Sequence, residues 1–141
     1  LVLVTAILSV ALLVKDKKYF KIFLVANLIG VIISSVIKLI VRRPRPTATM
    51  PFTVESTYSF PSGHSMMSMI FYGLLIYYIA KFVKKKWLRN LLTSVLSLII
   101  FSVGLSRIYL GVHYATDVLA GFVFGAVYLF IFTRFLEKKN I

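Results

Sequence analysis

The 141 residues are 60% hydrophobic, with a mean hydropathy of +0.92, yet they carry a formal net charge of +13. Soluble domains average about 45–50% apolar residues and disordered chains fewer still, so both classes are excluded. The charge alone would fit nucleic-acid binding, but the Lys and Arg residues interrupt long apolar runs instead of covering a polar surface. This pattern indicates an integral membrane protein with no nucleic-acid partner.

Five apolar segments are candidate membrane spans, since a spanning helix needs roughly 20 apolar residues. They are Leu1–Val14, which is short, then Tyr19–Val41, Ser65–Val83, Leu88–Leu105 and Tyr114–Phe135. The first segment has no basic flank before it, so we interpret it as the rest of a membrane helix and not as a signal peptide. The sequence therefore predicts an all-α polytopic transmembrane helix bundle. Residues 1–141 are expected to form a single membrane-embedded domain that lacks part of its N-terminal side.

The connector from Arg42 to His64 holds all four prolines of the chain, and it is the only long connector. Because proline interrupts helices, this connector is expected to be the principal non-helical segment. The chain has no cysteine, which excludes disulfides and thiolate metal sites.

Basic residues predict the orientation, because cytoplasmic loops of membrane proteins carry an excess of Lys and Arg. Twelve of the 17 basic residues fall into three clusters that five spans place on one side. These are Lys15, Lys17, Lys18 and Lys21, then Lys81, Lys84, Lys85, Lys86 and Arg89, then Arg134, Lys138 and Lys139. This side is expected to face the cytoplasm, with the protein in the plasma membrane.

The other five basic residues, both histidines and two of the four acidic residues fall at the opposite, extracytoplasmic face, where basic residues are disfavoured. They are Lys38, Arg42, Arg43, Arg45, Arg107, His64, His113, Glu55 and Asp117. Ionisable groups near or inside the bilayer are costly and usually functional. Their grouping predicts an extracytoplasmic site for an anion.

The first chemical motif is Lys38-Leu-Ile-Val-Arg-Arg-Pro-Arg45-Pro46. Its helix should stop near Val41, ahead of the first proline, so that Arg45 folds back beside Lys38. Two converging cations can clamp a phosphate, and arginine adds bidentate hydrogen bonds. The alternative is that these basic residues only anchor a helix end at the membrane surface. Arg42 and Arg43 have two open roles, contact with a second phosphate or attraction to the lipid surface.

The second motif is Pro61-Ser62-Gly63-His64, immediately before the apolar run resumes. Ser62 is a candidate N-cap, and Gly63 allows the backbone to approach a ligand closely. The helix N-terminus would face an anion, and His64 has the chemistry of a general acid. The alternative is an ordinary N-cap with an interfacial histidine.

The third motif is Ser106-Arg107, then His113, then Asp117. Residues four apart share a face of a helix, so Asp117 would orient the His113 ring and leave its other nitrogen free to attack, as in a catalytic dyad. Arg107 adds another cation. The alternative is a buried histidine–aspartate hydrogen bond that only holds helices together.

Taken together, the three motifs resemble those of the type 2 phosphatidic acid phosphatase superfamily. In the first motif of that superfamily, six residues separate a Lys from Arg-Pro, and the second motif is Pro-Ser-Gly-His. In the third motif, five residues separate Ser-Arg from a His, and three more separate that His from an Asp. Every element is present here. The resemblance implies a six-helix membrane fold, of which five spans are visible. Within the superfamily the chain is most similar to bacterial membrane enzymes of the phosphatidylglycerophosphatase B type.

The resemblance also implies the site residues and their roles. His113 would be the nucleophile that forms a phosphohistidine, Asp117 would orient it, and His64 would protonate the leaving oxygen and then activate water. The phosphoryl oxygens would be held by Lys38, Arg45, Arg107, Ser62 and the Gly63 backbone. Cations and a helix N-terminus can neutralise these oxygens without a metal, and two acidic residues are too few for a carboxylate Mg²⁺ site. We therefore expect no cofactor and no metal.

The expected substrate is a membrane lipid phosphate that stays in the bilayer while its phosphate enters the site, and no obligate protein partner is indicated. Phosphatidylglycerophosphate is the first choice, and undecaprenyl pyrophosphate, phosphatidic acid and diacylglycerol pyrophosphate are alternatives. Two other classes remain open. One is a non-catalytic lipid- or anion-binding membrane protein, and the other is a phosphotransferase that passes the phosphoryl group to an alcohol.

Overall fold

A computed structural model describes residues 17–46 and 57–139 of the chain, and these residues form four α-helices. The helices are α1 (Lys17–Val41), α2 (Gly63–Phe82), α3 (Lys86–Tyr109) and α4 (Ala115–Lys138). All four are long and apolar enough to cross a membrane. Four predicted spans are thus confirmed as helices of membrane-spanning length, whereas Leu1–Val14 lies outside the described residues.

The helix ends follow the local sequence. Ser62 caps α2 as predicted, because its Oγ accepts a hydrogen bond from the Ser65 N–H at 3.4 Å. Helix α1 ends at Val41, also as predicted, and Arg42 follows it with a φ of 50°. That left-handed conformation, which usually belongs to glycine, turns the chain sharply out of the helix. The largest shift from the predicted bounds is at α3, which continues past Leu105 to Tyr109.

Helix α2 is the centre of the bundle and packs against each of the other three helices. The buried core is built mainly from its side chains and from the first half of α1. Its members are Ile22, Phe23, Ala26, Met66, Met67, Ile70, Phe71, Leu74, Tyr78 and Leu136. The outer faces of the helices stay apolar, with Ile40 75% exposed and Leu98 64% exposed. Apolar faces of this extent fit contact with lipid and not with water.

The two ends of the bundle differ in charge. At one end the start of α1 meets the end of α2, where the Tyr19 ring lies 5.2 Å from that of Tyr78 and 5.8 Å from that of Phe82. The described members of the three basic clusters occur at this end. The opposite end collects the residues after α1, before α2 and before α4, and these carry the motifs.

Two glycines bring α4 close to α2 just below the motif end. A Cβ at Gly121 would lie 2.7 Å from the Ser62 carbonyl oxygen, and one at Gly125 would lie 2.9 Å from that of Met66. Only glycine permits this approach of backbone to backbone. The first turn of α4 is therefore fixed beside the N-terminus of α2.

Candidate active site

Three non-helical segments converge at the motif end of the bundle. The segment after α1 is joined to the segment before α2, because the Ser59 N–H donates to the Arg43 carbonyl oxygen at 2.9 Å. The N-terminus of α2 is joined to the first turn of α4, because the Ser62 N–H donates to the Asp117 carbonyl oxygen at 2.9 Å. The backbone itself therefore brings the three sequence motifs together.

His113 and Asp117 form the buried centre of the site, with side-chain exposures of 1% and 0%. His113 lies in the turn that precedes α4, so the two residues do not share one helix, as the four-residue spacing had suggested. Asp117 is in the first turn, where its Oδ2 accepts a hydrogen bond from the Tyr114 N–H at 3.0 Å. The same oxygen lies 3.5 Å from His113 Nδ1. The carboxylate that caps the start of α4 therefore also faces the His113 ring.

Arg45 lies on the other side of the His113 ring. Its Nη1 is 3.3 Å from His113 Nε2 and donates to the Val112 carbonyl oxygen at 2.9 Å. Its Nε donates to the Thr57 carbonyl oxygen at 2.7 Å, and its Nη2 donates to Thr57 Oγ1 at 3.1 Å. A guanidinium only donates hydrogen bonds, so its approach to Nε2 favours the tautomer in which Nε2 carries the lone pair.

Lys38 is held at the same end, because its Nζ donates to the carbonyl oxygen of Tyr58. Its side chain passes close to the start of α2, since a Cβ at Gly63 would lie 3.9 Å from Lys38 Cε. The carbonyl groups of residues 57 and 58 thus hold both Lys38 and Arg45. No sequence pattern indicates this role, because backbone carbonyl groups carry it and not side chains.

Ser62 is fully buried, and its Oγ accepts a hydrogen bond from the Ser65 hydroxyl at 2.9 Å as well as from the Ser65 N–H. His64, the second residue of α2, is exposed. Gly63 begins the helix, so the positive end of the helix dipole lies close to the Lys38 side chain.

Arg107 is joined to the site through its backbone. Its carbonyl oxygen accepts a hydrogen bond from the Val112 N–H at 3.3 Å, and Gly111, with a φ of 65°, closes the turn between them. The guanidinium Nε donates to Ser106 Oγ at 3.2 Å. Within the described residues the Arg107 guanidinium makes this one polar contact, so the structure does not bring it against the His113 ring.

Arg43 occupies a place that the sequence left open. Its Nη1 donates to Asp117 Oδ1 at 2.8 Å and to Thr116 Oγ1 at 2.7 Å, and its guanidinium lies 4.1 Å from the centre of the Tyr114 ring. The sequence did contain one indication of this placement. Residues two apart in extended backbone point the same way, so Arg43 and Arg45 are expected to face the same neighbouring segment. Arg42, by contrast, is exposed and its Nε donates to the Leu39 carbonyl oxygen at 2.9 Å.

The sequence profile of the PAP2 superfamily matches residues 19–141, which include all but the first two residues of α1, the other three helices and the three converging segments. The chain belongs to the PAP2 superfamily. It is 38% identical over 111 residues to phosphatidylglycerophosphatase B of Bacillus subtilis, covering 76% of this chain and 53% of that protein. The PAP2 domain is thus present over most of the chain, and it includes every motif residue named above.

Two further relatives have a lower sequence identity to this chain. The bacitracin transport permease protein BcrC of Bacillus licheniformis is 36% identical over 116 residues, covering 78% of this chain and 50% of that one. Human dolichyldiphosphatase 1 is 34% identical over 110 residues, covering 70% and 46% respectively. The chain therefore spans about half the length of these relatives.

A solved structure has the same PAP2 fold. The crystal structure of a transmembrane PAP2-type phosphatidylglycerolphosphate phosphatase from Bacillus subtilis matches with a TM-score of 0.81 at 31% sequence identity. The match covers 97% of this chain and 68% of that one. Together with the four apolar helices, it establishes a multi-pass membrane protein with a PAP2 helix bundle.

The donor set of the candidate site suits an anion. Arg43 contacts the buried Asp117 carboxylate, Arg45 lies beside the His113 ring, and the Lys38 side chain lies near the N-terminus of α2. Glu55, the other acidic residue predicted on this side, lies outside the described residues. Across residues 17–46 and 57–139, no three His, Asp or Glu side chains come together as a possible metal site. The groups that the structure brings together can bind phosphate oxygens directly.

Proposed function

We propose that this chain is an integral membrane lipid phosphatase that converts phosphatidylglycerophosphate to phosphatidylglycerol through a phosphohistidine intermediate. One observation carries the proposal. The His113 ring is buried between the Asp117 carboxylate, 3.5 Å from Nδ1, and the Arg45 guanidinium, 3.3 Å from Nε2. A purely structural histidine–aspartate pair has no need of a guanidinium beside the second ring nitrogen.

In the first step, the lone pair of His113 Nε2 attacks phosphorus and forms an N–P bond while the bond from phosphorus to the lipid oxygen breaks. The ring acquires positive charge, and Asp117 stabilises it across Nδ1. His64 protonates the leaving oxygen, so phosphatidylglycerol departs with a neutral hydroxyl group.

In the second step, water attacks the phosphohistidine and gives a proton to His64. The N–P bond breaks, inorganic phosphate leaves, and His113 returns to its starting form. The exposed position of His64 at the start of α2 suits this role, because His64 has to exchange protons with both the lipid oxygen and water.

Positive groups neutralise the phosphoryl oxygens during both steps, since phosphoryl transfer depends mainly on positioning and charge neutralisation. Arg45 and Lys38 approach from the segments after and within α1, and Gly63 offers its N–H at the start of α2. Arg107 reaches the phosphate by exchanging its part-buried hydrogen bond to Ser106 Oγ for one to a phosphoryl oxygen. The Ser62 hydroxyl serves the helix cap and donates its own proton to a phosphoryl oxygen.

The proposed site lies at the extracytoplasmic face, because the opposite end of the bundle carries the basic clusters that remain in the cytoplasm. The chain has no cysteine, so single-cysteine variants label at one position. In intact cells, a membrane-impermeant maleimide is expected to label Tyr109→Cys but to label Lys85→Cys only after the cells are permeabilised. The reverse pattern would place the site in the cytoplasm.

The choice of lipid is supported by the relative of 38% identity, whose name specifies phosphatidylglycerophosphate. The alternative is undecaprenyl pyrophosphate, a polyprenyl diphosphate. It is supported by the relative named dolichyldiphosphatase, which is 34% identical and whose name specifies a diphosphate of the same chemical class. Phosphatidic acid and diacylglycerol pyrophosphate present the same terminal phosphate.

A substrate panel tests the function directly. Purified protein in lipid nanodiscs is assayed for phosphate release from four lipids, phosphatidylglycerophosphate, undecaprenyl pyrophosphate, phosphatidic acid and diacylglycerol pyrophosphate, each with and without EDTA. We expect the highest kcat/KM with phosphatidylglycerophosphate and equal rates in EDTA, because the cations of the site replace a metal. A higher kcat/KM with undecaprenyl pyrophosphate would support the alternative substrate. Loss of activity in EDTA that Mg²⁺ restores would refute metal independence. Lipid binding without phosphate release would favour a non-catalytic binding protein.

A further inference from the structure

Asp117 presents a charge problem that the proposed mechanism does not solve by itself. The carboxylate is fully buried, and a buried ionised group needs a partner of opposite charge. A neutral His113 cannot be that partner. An imidazolium carries a proton on both ring nitrogens and has no lone pair with which to attack phosphorus, so the positive partner has to be another residue.

Arg43 supplies the missing positive charge. Its Nη1 lies 2.8 Å from Asp117 Oδ1, which is the distance of a close ion pair. The pair is neutral as a whole, so His113 can remain neutral next to it. A cation at the N-terminus of α4 is disfavoured by the helix dipole, and the position of Arg43 there is explained by its contact with this carboxylate.

The contacts also give each carboxylate oxygen a different task. Oδ1 binds Arg43, whereas Oδ2 accepts from the Tyr114 N–H and faces His113 Nδ1. Rotation of the carboxylate would break both sets of contacts at once. Arg43 is itself fixed by Thr116 Oγ1 at 2.7 Å and by the Tyr114 ring.

From this geometry we propose that Arg43, a residue outside the superfamily pattern stated above, is a positioning residue that fixes and neutralises Asp117 so that His113 attacks in its neutral form. The inference rests on the proposed phosphatase function. It gives Arg43 a role within the protein itself, because Arg43 Nη1 donates to both Asp117 and Thr116.

The test compares Arg43→Gln with Arg42→Gln, which removes the same charge one residue earlier from an exposed side chain. On the lipid phosphate that the wild type hydrolyses fastest, we expect Arg43→Gln to lower kcat on the order of 10- to 100-fold with KM within about twofold, the size typical of a displaced catalytic group. Arg42→Gln is expected to retain wild-type kcat. Arg43→Lys should restore part of the lost kcat, because it keeps the charge but not the planar guanidinium.

Each result decides one point. A rise in KM with unchanged kcat would overturn the inference and assign Arg43 to substrate binding. Equal kcat for the two glutamine variants would also overturn it. If Arg43→Gln fails to fold, Arg43→Lys decides, and full wild-type kcat in that variant would contradict a role that depends on the guanidinium geometry. Absence of turnover in the wild type would refute the proposed function instead, before any variant is compared.

Discussion

Replacing His113 with alanine is expected to lower kcat for phosphate release by at least about 10³-fold, the scale of loss seen when a covalent nucleophile is removed. The ring nitrogen that forms the N–P bond is absent in this variant, and no other described side chain lies between Asp117 and Arg45 to replace it. The measurement is phosphate release by purified protein in nanodiscs, at saturating substrate.

A second substitution separates chemistry from packing, since His113 is buried and alanine leaves a cavity. His113→Gln keeps most of the volume and a polar end, but it offers no nucleophilic nitrogen. We expect the same loss of turnover from both variants, with wild-type thermal unfolding for the glutamine variant. Wild-type turnover in His113→Gln would contradict the nucleophile assignment, and it would restore the structural interpretation of the histidine–aspartate pair.

Replacing Arg45 is expected to have the second-largest effect, a fall in kcat on the order of 10²- to 10³-fold, as for the loss of one donor to a developing oxyanion. The guanidinium is already oriented beside His113 Nε2 by bonds to Thr57 and Val112, so it does not have to reorganise when the phosphoryl group arrives. Arg45→Gln tests this, with Arg42→Gln as the matched control.

Arg45→Lys makes the same test sharper. Lysine keeps the charge but cannot reach Thr57, Val112 and the phosphate together, so we expect it to recover little of the lost kcat. If Arg45→Lys has wild-type kinetics, the precise placement of the guanidinium is irrelevant, and Arg45 acts only as a general positive charge. If Arg45→Gln retains wild-type kinetics, Arg45 is not part of the site.

The fold was predictable from the sequence wherever a long apolar run decided it. Lengths near 20 residues and the prolines after Val41 and before Ser62 predicted six of the eight helix boundaries within two residues. The end of α3 was not predictable in this way, because the helix continues to Tyr109 through Ser106 and Arg107, whose polar groups bond within the helix end. The length of an apolar run indicates that a helix can cross the membrane, whereas the hydrogen bonds of the polar residues beyond that run determine where the helix ends.

The site was predictable as a set of residues but not as a geometry. The spacing of three motifs brought His113, Asp117 and Arg45 into one hypothesis, and the structure places them in contact. The contact of Arg43 with Asp117 depends on the sharp turn at Arg42, where a φ of 50° is not expected for arginine. A sequence pattern cannot supply this turn, because tertiary contacts of the following segment impose it.

The central claim is that the phosphoryl group passes through His113, and the direct measurement is to trap it there. Purified protein is mixed with lipid substrate carrying ³²P in the terminal phosphate, quenched in alkali within milliseconds, and digested for mass spectrometry. The account predicts label on the peptide containing His113, stable in alkali and lost in acid. Phosphate release by the wild type with no label on His113 at any time point, or label that persists in His113→Gln, would contradict it.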